Sequence, residues 1–167
     1  MNFLSAEDTI PVAMNEEQRA YLGNYLRSIP IADREKYVSF SAGYFCADEK
    51  SANICSELVR MGKKTATCSM KYWYESGQVP MPKVGHLHVV TDWEGAPSSI
   101  IQVTEVEEAS FSDVSAGFAH AEGEGDRTLE WWRKAHWAYF SGECAGIGIE
   151  PSENMVLILE RFRLVYP

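Results

Sequence analysis

Helix-period and strand-period stretches follow one another along this chain in an irregular order, and that order narrows the fold more than any single motif. Asn15 is a good N-cap, acids fill the next turn, and Leu22, Tyr25, Leu26 and Ile29 give one apolar face before Pro30 stops the helix. A second helix is predicted from Asp48 to Met61, with Ile54, Leu58 and Met61 as its apolar face and Gly62 beyond its end. A third runs from Thr128 to Phe140, with Leu129, Trp132, His136, Tyr139 and Phe140 on one side, and Ser141 to Pro151 reads as a glycine-rich connection. Strands are predicted over Thr65–Ser69, Leu87–Thr91, Ser99–Val106 and Met155–Tyr166, the middle two joined by a hairpin turn. Met70–Ser76 and Phe111–Ala121 read as short helical elements, and residues 1–14 as a tail or arm. There is no regular strand–helix–strand alternation. The expected class is therefore α+β: a small barrel-like sheet with helices on its flank.

At 167 residues the chain suits one domain with a real core. It carries no cationic apolar N-terminus and no run of 18 apolar residues, so a soluble, cytoplasmic protein without a membrane partner is expected. Cys46, Cys55, Cys68 and Cys144 form no Cys-x-x-Cys pair and read as reduced thiols. The net charge of −9 argues against tight binding to long duplex nucleic acid, which needs a basic face. Arg60, Lys63, Lys64 and Lys71 nevertheless cluster, and an acidic body with one basic mouth suits a small polar ligand or a short single strand.

Gly62-Lys63-Lys64-Thr65-Ala66-Thr67 lies at the junction of a helix and a strand. It is not a phosphate-binding P-loop: Glu57 stands where the first glycine belongs, and Lys64 follows Lys63 in place of Ser or Thr. A lysine serves as base or nucleophile only when its pKa falls, which burial or a neighbouring cation brings about. In a regular strand Lys64 and Thr67 would face opposite sides, so a turn or bulge at Thr65-Ala66 is needed to join them. Otherwise both lysines are ordinary solvated charges at a helix end. Glu122-Gly123-Glu124-Gly125-Asp126 alternates acids with glycines but is no EF-hand, because its sixth and twelfth positions hold Arg127 and Arg133. It either presents a carboxylate or Mg²⁺ to a cleft or is a solvated loop capping the next helix. His86 and His88 share a strand face as a possible zinc pair with no third ligand nearby. His136 reads as a core histidine. Tyr72, Trp73 and Tyr74 follow the basic patch, where one could stack on a base. Ser39, Ser41 and Ser69 are polar with no partner visible in the sequence.

Taken in order, the Gly62–Thr67 segment, the strand Ser99–Thr104, the loop His120–Asp126, the helix Trp131–Phe140 and the terminal Glu160-Arg161-Phe162 resemble the ASCH domain family. The likeness covers about residues 37–165 and is closest to the longer bacterial members. It implies residues 1–36 as an N-terminal helical extension and residues 37–167 as a PUA-like domain, a small β-barrel with flanking helices around a cleft. It also implies a link to RNA. Some short members are amidohydrolases that remove the acyl group of N4-acetylcytidine with a Lys, a Thr and a Glu, which fall on Lys64, Thr67 and Glu124. Arg60, Lys63, Ser69, Tyr72 and Tyr74 would then contact substrate, with no cofactor required. Some longer members resemble metal-assisted ribonucleases acting on single strands, in which Mg²⁺ would sit on an acid such as Glu124. Other relatives only bind RNA. The N-terminal helix, the Trp-rich helix and the Glu-Gly-Glu-Gly-Asp loop depart from the short amidohydrolases. The implied partner is a modified nucleoside or a short single-stranded RNA.

Overall fold

In the computed structural model, residues 13–167 are described. The predicted tail therefore lies outside the described residues up to position 12; Met14, just beyond, is buried in the core. Helix α1 (Glu16–Ser28) begins at Asn15, whose side chain accepts from Gln18 N while the Gln18 side chain answers to Asn15 N, a reciprocal capping box. A short helix α2 (Ile31–Arg34) follows Pro30. Strand β1 (Phe40–Gly43) leads to α3 (Glu49–Arg60), capped by Asp48. Then come β2 (Ala66–Met70), the single-turn α4 (Tyr72–Glu75), β3 (Leu87–Thr91) and β4 (Pro97–Ser110). A 3₁₀ turn at Phe111–Asp113, α5 (Ala116–Glu122), α6 (Leu129–Ile147) and β5 (Val156–Tyr166) complete the order.

Among the described residues, five strands form one mixed sheet in the order β1-β3-β4-β5-β2. Only β1 and β3 run parallel; every other neighbour is antiparallel. Two register shifts in the β4–β5 ladder, at Ile100/Ile101 and Val103/Glu105, mark irregularities of the kind that bend a sheet. The result is a half-barrel with helices around it, an α+β fold as expected.

Three apolar clusters hold the helices to the sheet. Leu22 and Leu26 of α1 pack with Phe40, Leu87, Val89 and Ile100, so the first helix shares its core with the sheet. Trp132, Phe140 and Cys144 of α6 pack with Phe111, Phe118, Leu157 and Leu159. Val59 of α3 meets Val90, Ile101 and Phe162. The α3 face differs from the predicted one: Ala52, Cys55, Ser56 and Val59 are buried, whereas Ile54 and Met61 are about half exposed at 49% and 54%. Small residues let the helix lie close, and the predicted stripe is rotated away by roughly one residue position. Helix α6 also runs seven residues past Phe140, through the predicted glycine-rich connection. Each interior glycine costs only about 1 kcal/mol, and from that added length Cys144 buries into the core and Ile147 packs against it.

Candidate functional site

Lys64 sits where α3 ends and β2 begins, and it is 2% exposed. Gly62 (φ +71°) turns the chain out of the helix. The Thr65 N–H donates to Ala121 O at 2.7 Å, and Phe162 N donates to Thr65 O at 2.9 Å, which ties this turn to α5 and β5. Because β2 starts only at Ala66, Lys64 is free of the strand alternation, and Lys64 and Thr67 line the same cavity. The required break in the strand is thus present.

The Lys64 ammonium donates to Glu122 Oε2 and Glu124 Oε1, each at 2.7 Å, and to Glu122 O at 3.3 Å. The Phe45 ring lies under it, 5.3 Å from Nζ to centroid. Gly123 and Gly125 make this clamp possible. A Cβ at Gly123 (φ +77°) would stand 2.5 Å from Lys63 O and 2.8 Å from Lys64 Cα. At Gly125 (φ +59°) it would fall 2.1 Å from the Trp131 ring. The loop therefore crosses the lysine backbone at contact distance and delivers one acid before and one after the crossing. Thr128 then caps α6 by accepting from Trp131 N, while Asp126 accepts from Thr128.

Glu122 is not a loop acid. It closes α5, is 2% exposed, and receives Trp132 Nε1–H at 3.4 Å on its second oxygen, with His136 Nε2 at 3.6 Å. His136 donates Nδ1–H to Trp132 O and stacks on the Trp132 ring at 4.2 Å. It is thus a packed histidine, as read from sequence, yet it also lines the cavity.

The electrostatics correct one expectation. Burial works to lower the Lys64 pKa, but Glu122 and then Glu124 outweigh it, and the result lies well above the ordinary value. Lys64 is a fixed ammonium and not a free base. Burial pushes the Glu124 carboxyl up, and Lys64 more than offsets this, leaving it below the ordinary range. Both acids line the cavity, and Glu124, with its side chain 18% exposed against 2% for Glu122, is the more open of the two.

The cavity holds about 330 Å³ and is walled by Phe45, Cys46, Trp131 and Tyr139 around Lys64, Thr67 and Glu124. A second cavity of about 370 Å³ adjoins it across Phe45 and Thr67. Tyr74, Lys83 and Glu160 line this one, with Glu160 in register opposite Thr67. Burial lifts the Glu160 carboxyl to about 7. Along its edge runs a chain of contacts from Ser39 Oγ to His86 Nδ1 (2.6 Å), His86 Nε2 to Ser41 Oγ (2.6 Å), Ser41 Oγ to His88 Nδ1 (2.7 Å) and His88 Nε2 to Gly43 O (3.1 Å). These histidines are committed to serines and a carbonyl, which removes the reading of them as a zinc pair.

The remaining predicted contacts are scattered. Tyr74 reaches the second cavity, and Ser69 bonds its hydroxyl at 2.6 Å. Tyr72 faces a shallow hollow by Lys71 and Glu75, away from Lys64. Arg60 is exposed and held by Glu57 at 2.6 Å, Lys71 is paired with Glu108 and Glu75, and Lys63 is exposed. The basic mouth expected from this cluster does not form, because three of its four cations are spent on neighbouring acids and Lys63 lines neither cavity.

Two groups of side chains have metal-ligand spacing among the described residues: Cys46, Cys55 and Glu124, and Cys68, Glu122 and His136. Sulfur-containing sets suit a soft ion rather than Mg²⁺. The Lys64 ammonium already stands between the two carboxylates, so Mg²⁺ on Glu124 would have to displace it.

No described helix is long and apolar enough to cross a membrane. No curated protein matches the chain significantly. Among solved structures, an ASCH domain from Lactobacillus crispatus is 49% identical with a TM-score of 0.91, over 93% of this chain and 98% of that one. A protein from Enterococcus faecalis is 27% identical with a TM-score of 0.77, over 90% of this chain and 89% of that one. The ASCH domain family model matches residues 41–166, and with these likenesses the chain belongs to the ASCH domain family, a family generally related to RNA.

Proposed function

We propose that this protein hydrolyses the acyl amide of N4-acylated cytidine-type nucleosides, with Lys64, Thr67 and Glu124 as its reacting groups. The observation that carries the reading is the buried Lys64 ammonium clamped at 2.7 Å by Glu124 in a cavity that Thr67 also lines. A cavity of about 330 Å³ lies within the common range for small-molecule sites, roughly 300–1,000 Å³. Phe45, Trp131 and Tyr139 offer aromatic walls to a base.

Amide hydrolysis needs a base for water, a cation for the carbonyl oxygen and a proton for the leaving nitrogen. Glu124 takes a proton as the water oxygen bonds to the acyl carbon. The Lys64 ammonium, kept charged by Glu122, donates to the oxygen that gains negative charge. Glu124 then hands its proton to the N4 nitrogen as the C–N bond breaks, releasing cytidine and a carboxylic acid. Thr67 orients the acyl oxygen. The test is release of cytidine from N4-acetylcytidine by wild type and by Lys64→Ala, with folding checked by circular dichroism. The variant should lose turnover at least a hundredfold on the scale of an oxyanion donor, about 10²–10³; equal turnover would sink the assignment.

A second reading is favoured by the adjoining cavity of about 370 Å³, which extends the cleft past Thr67 to Tyr74 and Lys83. A short single-stranded RNA would span both, with Tyr74 stacking a base and Lys64 steadying a charged phosphorane. Cleavage of a labelled single strand that persists in EDTA supports it, because the Lys64 ammonium already occupies Glu124. Salt-sensitive binding without cleavage assigns the cleft to RNA binding alone.

A further inference from the structure

Two sulfurs, one in the wall of the Lys64 cavity and one buried behind it, have no part in the chemistry above. Cys46 lies in the loop between β1 and α3, is half-buried, and lines the cavity. Cys55 is buried on the inner face of α3. Both are free thiols, and their Sγ atoms are 2.9 Å apart. Cys46 has φ +74°, a left-handed conformation that a side-chain-bearing residue adopts at a cost of about 1–2 kcal/mol. The loop thus holds Cys46 against Cys55 in a conformation that local preference opposes.

We propose that Cys46 and Cys55 are a redox modification site, a dithiol that closes to a reversible intramolecular disulfide beside Glu124. A disulfide bond is about 2.05 Å long, so the sulfurs need to approach by roughly 0.9 Å, a movement within side-chain rotation. The other two cysteines are differently placed. Cys144 contacts Met70 Sδ at 3.8 Å, and Cys68, which also lines the cavity, groups with Glu122 and His136 rather than with a second thiol.

The order of events follows from access. The hydrogen bond with Cys46 and burial both push the Cys55 thiol up, so the cavity-lining Cys46 meets an oxidant first. With hydrogen peroxide, the Cys46 sulfur takes one oxygen and becomes a sulfenic acid while water leaves. The Cys55 sulfur then attacks the Cys46 sulfur, the hydroxyl departs with the Cys55 proton as a second water, and the S–S bond forms. Two thiols have lost two protons and two electrons, and one peroxide has become two waters. A thiol reductant reverses the step by exchange.

A soft divalent cation on Cys46, Cys55 and Glu124 is the competing use of these atoms, which lie within 4.8 Å of one another. The Lys64 ammonium, 2.7 Å from Glu124 Oε1, already neutralises that acid and repels a second cation. The disulfide would have a local effect. The Cys55 thiol ranks after burial, Lys64 and His136 among the influences on the Glu124 pKa, and it helps keep that carboxyl ionised. Oxidation removes its S–H.

The full-length protein is treated with a small excess of hydrogen peroxide, quenched, and analysed by intact mass and by non-reducing peptide mapping. The expected result is a loss of about 2 Da, a linked peptide pair carrying Cys46 and Cys55, and full reversal by dithiothreitol. C46S and C55S should each fail to give the linked pair. Three results overturn the proposal: oxygen adducts on Cys46 with no linked pair, a Cys46–Cys68 link in its place, or purification with one equivalent of zinc that shields both thiols from alkylation. None of these readouts needs turnover, so the site stands or falls separately from the hydrolase reading.

Discussion

Replacing Gly123 by alanine isolates the contact that builds the site. Gly62 and Gly123 have nearly the same backbone, φ +71° and +77°. A methyl group at Gly62 would meet nothing within 4 Å, whereas at Gly123 it would stand 2.5 Å from Lys63 O and 2.8 Å from Lys64 Cα. Gly62→Ala therefore carries the left-handed penalty alone, about 1 kcal/mol. Gly123→Ala adds a backbone overlap that no rotamer relieves, worth about 2 kcal/mol more by analogy with overpacked cores. At about 2–4 °C per kcal/mol for a domain of this size, the melting temperature should fall by ~2–4 °C in the first variant and ~6–12 °C in the second. The overlap relaxes only if the loop backs away, and Glu124 moves with it. Gly123→Ala should thus also lose cytidine release, which Gly62→Ala retains. Thermal unfolding followed by circular dichroism, alongside the turnover assay, measures both. Equal melting temperatures for the two variants would refute the close crossing of the loop over Lys63 and Lys64.

Glu122→Gln removes one of the two charges that hold a buried ammonium, and stability in urea should drop by about 2–4 kcal/mol. Glu124→Gln should cost less stability and more turnover, because that side chain is 18% exposed and faces the cavity. Glu160 and His88 set opposing pH slopes. Burial raises the Glu160 pKa from 4.5 to about 7, so the folded state holds its proton more tightly and stability falls as pH rises across that window. Burial lowers the His88 pKa from 6.5 to about 4, so stability falls as pH drops across that one. Each shift is worth about 3 kcal/mol, and they largely cancel between pH 4.5 and 6.5. Denaturation midpoints should climb with pH in Glu160→Gln and decline with pH in His88→Gln; parallel profiles would discard this assignment.

Features written in neighbouring residues were legible from the sequence. Asn15, Asp48 and Thr128 cap helices because a capping side chain needs only the next turn. The hairpin from β3 to β4 and the strand after Lys64 were equally local, as was the glycine-spaced acidic loop. What sequence reading missed lies in pairs far apart along the chain. Glu122 and Glu124 are of one type and two apart, and only the fold shows that the first is sealed in and the second open. The one signal for Glu122 was that a glycine follows it, which permits a helix end. Ser39 and Ser41 found partners in His86 and His88 through the parallel pairing of β1 with β3, a register no local pattern announces. The buried face of α3 departs from the one its large apolar residues outline, because the small Ala52, Cys55 and Ser56 are what a close helix–sheet contact uses.

The serine–histidine chain at the second cavity also has a fixed direction. Gly43 O has no hydrogen to give, so His88 must present Nε2–H to it. With both rings neutral, as their lowered pKa values require near neutral pH, His88 Nδ1 is then an acceptor and takes the Ser41 proton. Ser41, its only hydrogen used, can accept alone, so His86 turns Nε2–H toward it and Nδ1 toward Ser39. One carbonyl thereby fixes two tautomers and two hydroxyl rotors, and the direction ends at Ser39 with its hydrogen pointed inward. What remains at that end is a pair of oxygen lone pairs. A group placed against Ser39 would therefore have to donate a hydrogen bond, as an amino or hydroxyl group can and an anionic oxygen cannot.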